Sequence, residues 1–372
     1  YTYLISTSGG LEIYDIGGAS VYALSADNIE SSHITTDELK ISHNLSIRGA
    51  LNVGIGGLYS SGPVSIFAST TAPTSIDSLV VTGSSFRQTP GNPVQLVSTT
   101  TTNWDPTTVT VQGRYAYSVG SGAGGDDLKI MDVSNPTSPT LAGRIGVGGS
   151  PQDVAVAGRY AYVVDNTTDD LKVIDISNTA NPTQVGSVSI ASVSAQVRIR
   201  VQGRYAYITD LGSNNFIIID VSNPAIPVSV FNSNILGSGA AVSGPDDIRV
   251  VGKYAYVADR GGDLFRVIDI SIPSSPAIVS SISAGTGIRG VAVSGNFAYL
   301  THDGSDDLKI INISNPALPV IVSTTALGTV LPQSIDVFGR YLVIVDQTTD
   351  DLDLWDVASS TAPTLVGSTS LG

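Results

Sequence analysis

The chain has 372 residues, 42% of them in the hydrophobic set and 13% charged, with a formal net charge of −14. That is enough apolar material for one large ordered domain or two medium ones and excludes a disordered chain, while the acidic balance argues against nucleic acid and anionic membrane as partners. The absence of cysteine removes disulfides, thiolate metal sites and a cysteine nucleophile.

The only glutamates are Glu12, Glu30 and Glu38, and all later acids are aspartates. Aspartate in excess, together with abundant Gly, Ser, Thr and Asn, predicts strands and turns and almost no helix. There is no apolar run of about 18 residues, so membrane insertion is not expected. No leader precedes Tyr1, so an exported protein would be a processed form.

In chain order, residues 1–16 (YTYLISTSGGLEIYDI) read as two strands around a short Thr-Ser-Gly-Gly loop. Residues 26–91 form a β-rich insert and linker. Within it Leu39, Leu45 and Leu51, and Ile41, Ile47 and Val53, step by six, which fits either short solenoid rungs or two or three hairpins. ASTTAPTSIDS and FRQTPGNPVQ are Pro/Ser/Thr-rich linker, and His33 and His43 in this segment read as surface residues.

From residue 92 onward a repeat takes over. The string V-x-G-R-Y-A-Y recurs with its glycine at Gly113, Gly158, Gly203, Gly252, Gly295 and Gly339, spaced 43 to 49 residues apart. Each unit carries four apolar stretches, as in DVAVAG, RYAYVVD, DLKVIDIS and NPTQVGSVS of residues 153–189. Four short strands in about 40–45 residues is the period of a propeller blade. A lone blade cannot bury both faces, so the blades are expected to close into a ring. The fold class is therefore all-β: a propeller of six complete four-stranded repeats over residues 92–372.

A further blade is split. Residues 1–16 match strands two and three of a unit, and residues 92–99 (NPVQLVST) match the fourth-strand segment of residues 181–188, with no copy of strand one. Residues 1–25 are thus a partial blade with two destinations: a three-stranded seventh blade of the same ring, or donation to a neighbouring molecule. Donation is favoured slightly, because six complete units can close without it.

The units GRYAYVVD…DLKVIDISN and GKYAYVADRGGDLFRVIDIS resemble the LVIVD repeat family, propellers of bacterial and archaeal surface proteins. The resemblance covers residues 93–372 and implies the fold and an extracellular or cell-surface location; it does not imply an activity.

Three recurrent polar features remain. The loop between strands two and three ends in pairs read as Asp126-Asp127, Asp169-Asp170, Asn214-Asn215, Gly262-Asp263, Asp306-Asp307 and Asp350-Asp351, and the strand before it ends in Asp165, Asp210, Asp259 or Asp346. Clustered hard oxygen ligands make calcium the candidate cation, with Asp303, Asp306, Asp307, Asp165, Asp169 and Asp170 as its ligands; the preferred reading is that these side chains cap tight turns, with no cofactor. On the opposite face the turn between strands one and two carries Arg114, Arg159, Arg204, Lys253 and Arg340, with Asn296 in the fifth unit. A cationic ring opposite an acidic one makes a dipole along the axis that favours head-to-tail stacking. Last, Asp132, Asp175, Asp220, Asp269 and Asp356 end strand three and are read as turn caps.

Residues that break the repeat near the axis are Asp153, Arg198, Arg200, Asp246, Asp247, Arg249, Arg289 and Asp336, which form no nucleophile, base and orienter set. The expected function is that of a non-enzymatic extracellular structural protein. It would be a homopolymer subunit assembling through Tyr1, Tyr3, Leu11 and Ile13 of the N-terminal strands and through the charged faces. The alternatives are a surface adhesin binding glycan or a surface protein through its acidic face, and a calcium-dependent propeller hydrolase.

Overall fold

The computed structural model describes the backbone of residues 5–7, 10–12 and 121, and residues 105–120, 127–190, 196–236, 244–328 and 331–370 in full. The chain divides into two compact units, Tyr1–Phe86 and Arg87–Gly372. In the first, Ile5–Thr7 pairs antiparallel with Gly10–Glu12, with Ile5 opposite Glu12 and Ser6 opposite Leu11. Tyr1, Tyr3, Ile13, the side chain of Leu11, the insert of residues 26–91 and the strand expected at 92–99 lie outside the described residues.

The second unit is a six-blade propeller. Its blades span residues 105–146, 151–189, 197–233, 245–283, 288–326 and 332–370, each a four-stranded antiparallel sheet whose strands follow one another in sequence order. The described residues contain no helix, and so none long and apolar enough to cross a membrane. In blade 2 the strands are Pro151–Ala157, Tyr160–Asp165, Asp170–Asp175 and Thr183–Ser189. First strands of successive blades contact one another and line the axis; fourth strands are largely exposed.

Local chemistry explains where each strand stops. The first turn has only two residues, since Ala157 pairs with Tyr160, and the leading glycine takes a positive φ, +60° at Gly158, with the other five between +56° and +62°. This is the glycine-first pattern of a type II′ hairpin turn, which matches strand twist. A Cβ built at Gly158 meets nothing within 4 Å, so conformation and not space requires glycine. At the second turn Asp169, Asn214, Asp263, Asp306 and Asp350 are left-handed, with φ between +49° and +56°. Asx residues tolerate that region best after glycine. The fourth unit corrects the sequence alignment: Asp263 is the left-handed residue and Leu264 opens the strand, so the corresponding pair is Asp263-Leu264 and not Gly262-Asp263.

Strand alternation sorts side chains onto two faces, and in blades 2 to 5 each face packs on a neighbouring blade. Tyr117, Leu128 and Ile130 of blade 1 meet Val154, Ala161 and Ile174 of blade 2. Equivalent clusters join blades 2 and 3, 3 and 4, 4 and 5, and 5 and 6. The second tyrosine of each Tyr-Ala-Tyr is buried in these seams, as its alternation predicts.

Six blades therefore share five seams, and no cluster joins blade 6 to blade 1 among the described residues, so the expected closure of six complete units on themselves is not met there. One repeat position makes the consequence plain. Val154, Ile199, Ile248, Val291 and Ile335 are at most 2% exposed, whereas their counterpart in blade 1, Val109, is 62% exposed. On blade 6 the other face is open: Val343, Val345, Leu352 and Leu354 are half-buried where Tyr162, Val164, Leu171 and Val173 are buried. Phe338, on that same face, is 80% exposed.

Candidate functional site

The turn face comes out differently from the charge ring expected of it. Arg114, Arg159, Arg204 and Arg340 each form an ion pair with the aspartate ending strand three of their own blade, Asp132, Asp175, Asp220 and Asp356, and Lys253 lies 4.0 Å from Asp269. Each cation also sits 5.2–5.4 Å from the ring centre of the next tyrosine. In blade 5 both members are neutral, Asn296 and Asn312, so charge is lost from the two positions together. The same aspartates cap the following turn as predicted, Asp175 Oδ1 accepting from the Ser177 amide at 2.9 Å. Hydrogen bonds from Arg159 and from Ser177 lower the Asp175 pKa to about 2, and Arg204 does the same for Asp220. A face of closed ion pairs has little net field, which removes the electrostatic argument for stacking.

On the loop face the structure places each predicted metal residue in a different setting. Asp165 is fully buried; its Oδ1 accepts from the amides of Ser150, Thr167 and Thr168, and its Oδ2 lies 3.3 Å from Lys172 Nζ. Burial raises the pKa of this carboxyl, but the three amides and Lys172 outweigh it, and the net shift is downward. Lys172 also reaches Asp170 Oδ1 at 3.1 Å and accepts nothing, so an ammonium stands between the two carboxylates. Asp307 holds Lys309 Nζ at 2.6 Å and the buried His302 Nδ1 at 2.9 Å. Asp303 turns toward the axis, where Arg260 Nη2 and Arg289 Nε both approach its Oδ2 at 2.7 Å. Asp169 and Asp306 are the left-handed turn residues. Among the described residues no three carboxylate or imidazole groups already stand close enough to hold a metal ion.

At the axis the repeat-breaking residues do come together. Asp153 of blade 2 accepts from the Ile199 amide of blade 3 at 2.9 Å and from Arg200 Nη1 at 3.2 Å. Arg200 bridges on to Asp247 of blade 4 at 3.1 Å, and Asp247 Oδ2 accepts from the Val291 amide of blade 5. Arg249 donates to Asp247 and, across the axis, to the Ile335 carbonyl of blade 6 at 3.1 Å. Burial raises the Asp247 pKa, but Arg249, Arg200, Arg198 and the Val291 amide bring it below the ordinary value. Asp246, buried beside Arg289 at 3.6 Å, is raised by burial despite the surrounding arginines. The network ties blades 2 to 6 and omits blade 1, whose corresponding positions are Thr108 and Thr110. The Asp153 and Asp247 carboxylates are satisfied by guanidinium groups and backbone amides, which is the chemistry of a clamp, whereas the buried Asp246 Oδ2 has no hydrogen-bond partner among the described residues.

These features define a β-propeller whose polar groups are chiefly used on its own turns and seams. The LVIVD repeat model matches residues 105–146, 148–189, 195–234, 245–283, 287–326 and 332–370, one match per blade. The chain belongs to the LVIVD repeat family. No curated protein matches it in sequence. Among solved structures it is similar to a Lactobacillus plantarum protein, with 16% identity and a TM-score of 0.62 over 71% of this chain and 84% of that one. It is also similar to a putative 6-phosphogluconolactonase from Bacteroides fragilis, with 13% identity and a TM-score of 0.58 over 72% and 81% of the two chains. A periplasmic gluconolactonase of Pseudomonas aeruginosa follows at 16% identity and a TM-score of 0.55, over 70% and 83%. At such identities the likeness is one of fold alone.

Proposed function

We propose that this protein is a non-enzymatic structural subunit of the cell exterior that polymerises by strand exchange. The observation that carries the reading is the open pair of blade faces: Val109 is 62% exposed where five equivalent residues are at most 2% exposed. An apolar sheet face left uncovered is an association site. Blade 6 offers a second open face, and the two together are what a further blade would cover.

The occupant is the N-terminal hairpin of a second copy. Tyr3, Leu11 and Ile13 hold the places of Tyr162, Leu171 and Val173, whose face in blade 2 packs on blade 3, so in a donated blade they would pack on Val109 of blade 1. In the blades Val164 faces Leu171, whereas in the hairpin Ile5 faces Glu12. Entry into a blade thus shifts the pairing by one residue. Such a slip moves side chains to the opposite face, and seating in a blade supplies the burial that selects the new register. Exchange of this kind is heterologous and grows chains unless it closes. The turn-face arginines are paired and leave the exchange of strands as the driving contact. Asp153 and Asp247 at the axis are held by arginines and by backbone amides of neighbouring blades, which supports a structural role for that pair.

Electron microscopy of the purified protein tests this reading. Filaments or closed multi-ring assemblies are expected; a field of single rings at high protein concentration overturns it.

A further inference from the structure

Blades 2 and 6 carry nearly the same second loop, DNTTDDLK at residues 165–172 and DQTTDDLD at residues 346–353. In blade 2 the closing lysine is the internal cation of the loop. Lys172 Nζ lies 3.3 Å from Asp165 Oδ2, 3.1 Å from Asp170 Oδ1 and 2.8 Å from Thr168 Oγ1. Blade 4 solves the same problem with Arg266, whose Nε is 2.7 Å from Asp259 Oδ2, and blade 5 with Lys309 on Asp307. Blade 6 has an aspartate, Asp353, in that place.

The backbone keeps the same geometry there. Asp353 pairs with Ile344 as Lys172 pairs with Val163, and Asp346 Oδ1 accepts from the amides of Thr348 and Thr349 at 2.6 and 2.8 Å, as Asp165 Oδ1 does from Thr167 and Thr168. What differs is charge. Asp346 is 3% exposed and its Oδ2, like that of Asp165, has no hydrogen-bond partner among the described residues; but where Lys172 Nζ lies 3.3 Å from Asp165 Oδ2, no ion pair reaches Asp346 among those residues. A buried carboxylate oxygen without a partner is costly, and here the repeat sets Asp351 and Asp353 at the strand positions that Asp170 and Lys172 hold in blade 2.

We propose that the blade 6 loop binds a calcium ion in the place that Lys172 Nζ occupies in blade 2. Asp346 Oδ2, Asp351, Asp353 and the Thr349 hydroxyl are the chain's oxygen ligands, with the Asp351 and Asp353 side chains turning in on binding and water completing the shell. Calcium accepts six to eight oxygens at about 2.3–2.6 Å in flexible geometry, whereas magnesium demands a tighter octahedron that this open loop does not provide. The two acidic loops of the ring that look most alike in sequence are thereby different: blade 2 carries its cation covalently, and blade 6 recruits one.

The test uses the whole chain and calcium chloride itself. Thermal melts in chelator, in millimolar calcium and in millimolar magnesium should show a rise of about 5 °C with calcium at a hundredfold excess over its dissociation constant, and little with magnesium. Asp353→Lys restores the lysine of the repeat; it should melt in chelator close to the calcium-loaded wild type and lose the calcium response. Terbium emission sensitised by Trp355, two residues along the same strand, should appear in the wild type and vanish in this variant. If Asp353→Lys does not fold, Asp353→Ala decides, since it removes the ligand oxygens of that side chain and should lose the calcium shift. A wild-type melt indifferent to calcium, or a variant that keeps the full shift, overturns the proposal.

Discussion

Truncating Val154 and Val109 to alanine asks the same question at two chemically identical positions. Val154 is 2% exposed in the seam between blades 1 and 2, so Val154→Ala removes about two buried methylene equivalents and leaves a small cavity, a cost of about 2 kcal/mol. Val109 is 62% exposed, and scaling the same transfer by its buried fraction gives about 0.6 kcal/mol with no cavity to add. Urea unfolding at protein concentrations below assembly should therefore separate the two variants by more than 1 kcal/mol at equal m-values. Above the assembly threshold the gap should close, because a donated blade covers Val109 and Val109→Ala then also costs about 2 kcal/mol per seam and raises that threshold. If Val109→Ala is as costly as Val154→Ala in the dilute monomer, the face is already covered by its own chain and donation between molecules is refuted.

Two further outcomes follow from the turn face. Replacing the pairs Arg159–Asp175, Arg204–Asp220 and Arg340–Asp356 by Asn–Asn, as blade 5 has at Asn296 and Asn312, should leave assembly and its salt dependence unchanged, because closed pairs contribute little outward field; sedimentation at 50 mM and 500 mM salt checks this, and a loss of assembly would restore the opposed charged faces as its cause. The folded pKa values of Asp175 and Asp220 lie at about 2, below the ordinary 3.8, so their contribution to stability is complete above about pH 4 and is lost as pH falls toward 2. Unfolding midpoints measured from pH 5 to pH 2 should fall in that window, and Asp175→Asn should flatten the fall; an equally steep fall in the variant would place the acid sensitivity elsewhere.

The repeat was legible because its punctuation is local. A glycine that needs positive φ, an Asx that tolerates it and a Ser-Asn-Pro stop recur at fixed places, and six copies fix the blade. The alternation of Tyr-Ala-Tyr likewise announces a buried face. What sequence reading missed is what depends on register between strands. Arg159 and Asp175 are 16 residues apart, and only the strand pairing brings them together; the paired change to Asn296 and Asn312 was the signal available. Lys172 and Asp170 are two residues apart on one strand and so share a face, which in hindsight identifies the internal cation in DDLK. The one-residue misalignment at Asp263 came from anchoring on Asp-Leu and not on the Val-Ile-Asp that ends the strand in both units. The exposure of Val109 itself has no mark in the residue, which is as apolar as Val154; it is a property of what stands next to the blade, and the sequence signals it only indirectly, through Thr108 and Thr110 in place of the axial Asp and Arg.

Deleting residues 1–16 is the most direct measurement of the central claim. The account predicts a soluble, folded monomer with the melting temperature of the dilute full-length chain that no longer assembles and that still accepts the hairpin of full-length molecules at its open faces, so that mixtures form capped, shorter assemblies. A misfolded or sharply destabilised monomer, or assembly that continues undiminished without those residues, would contradict it.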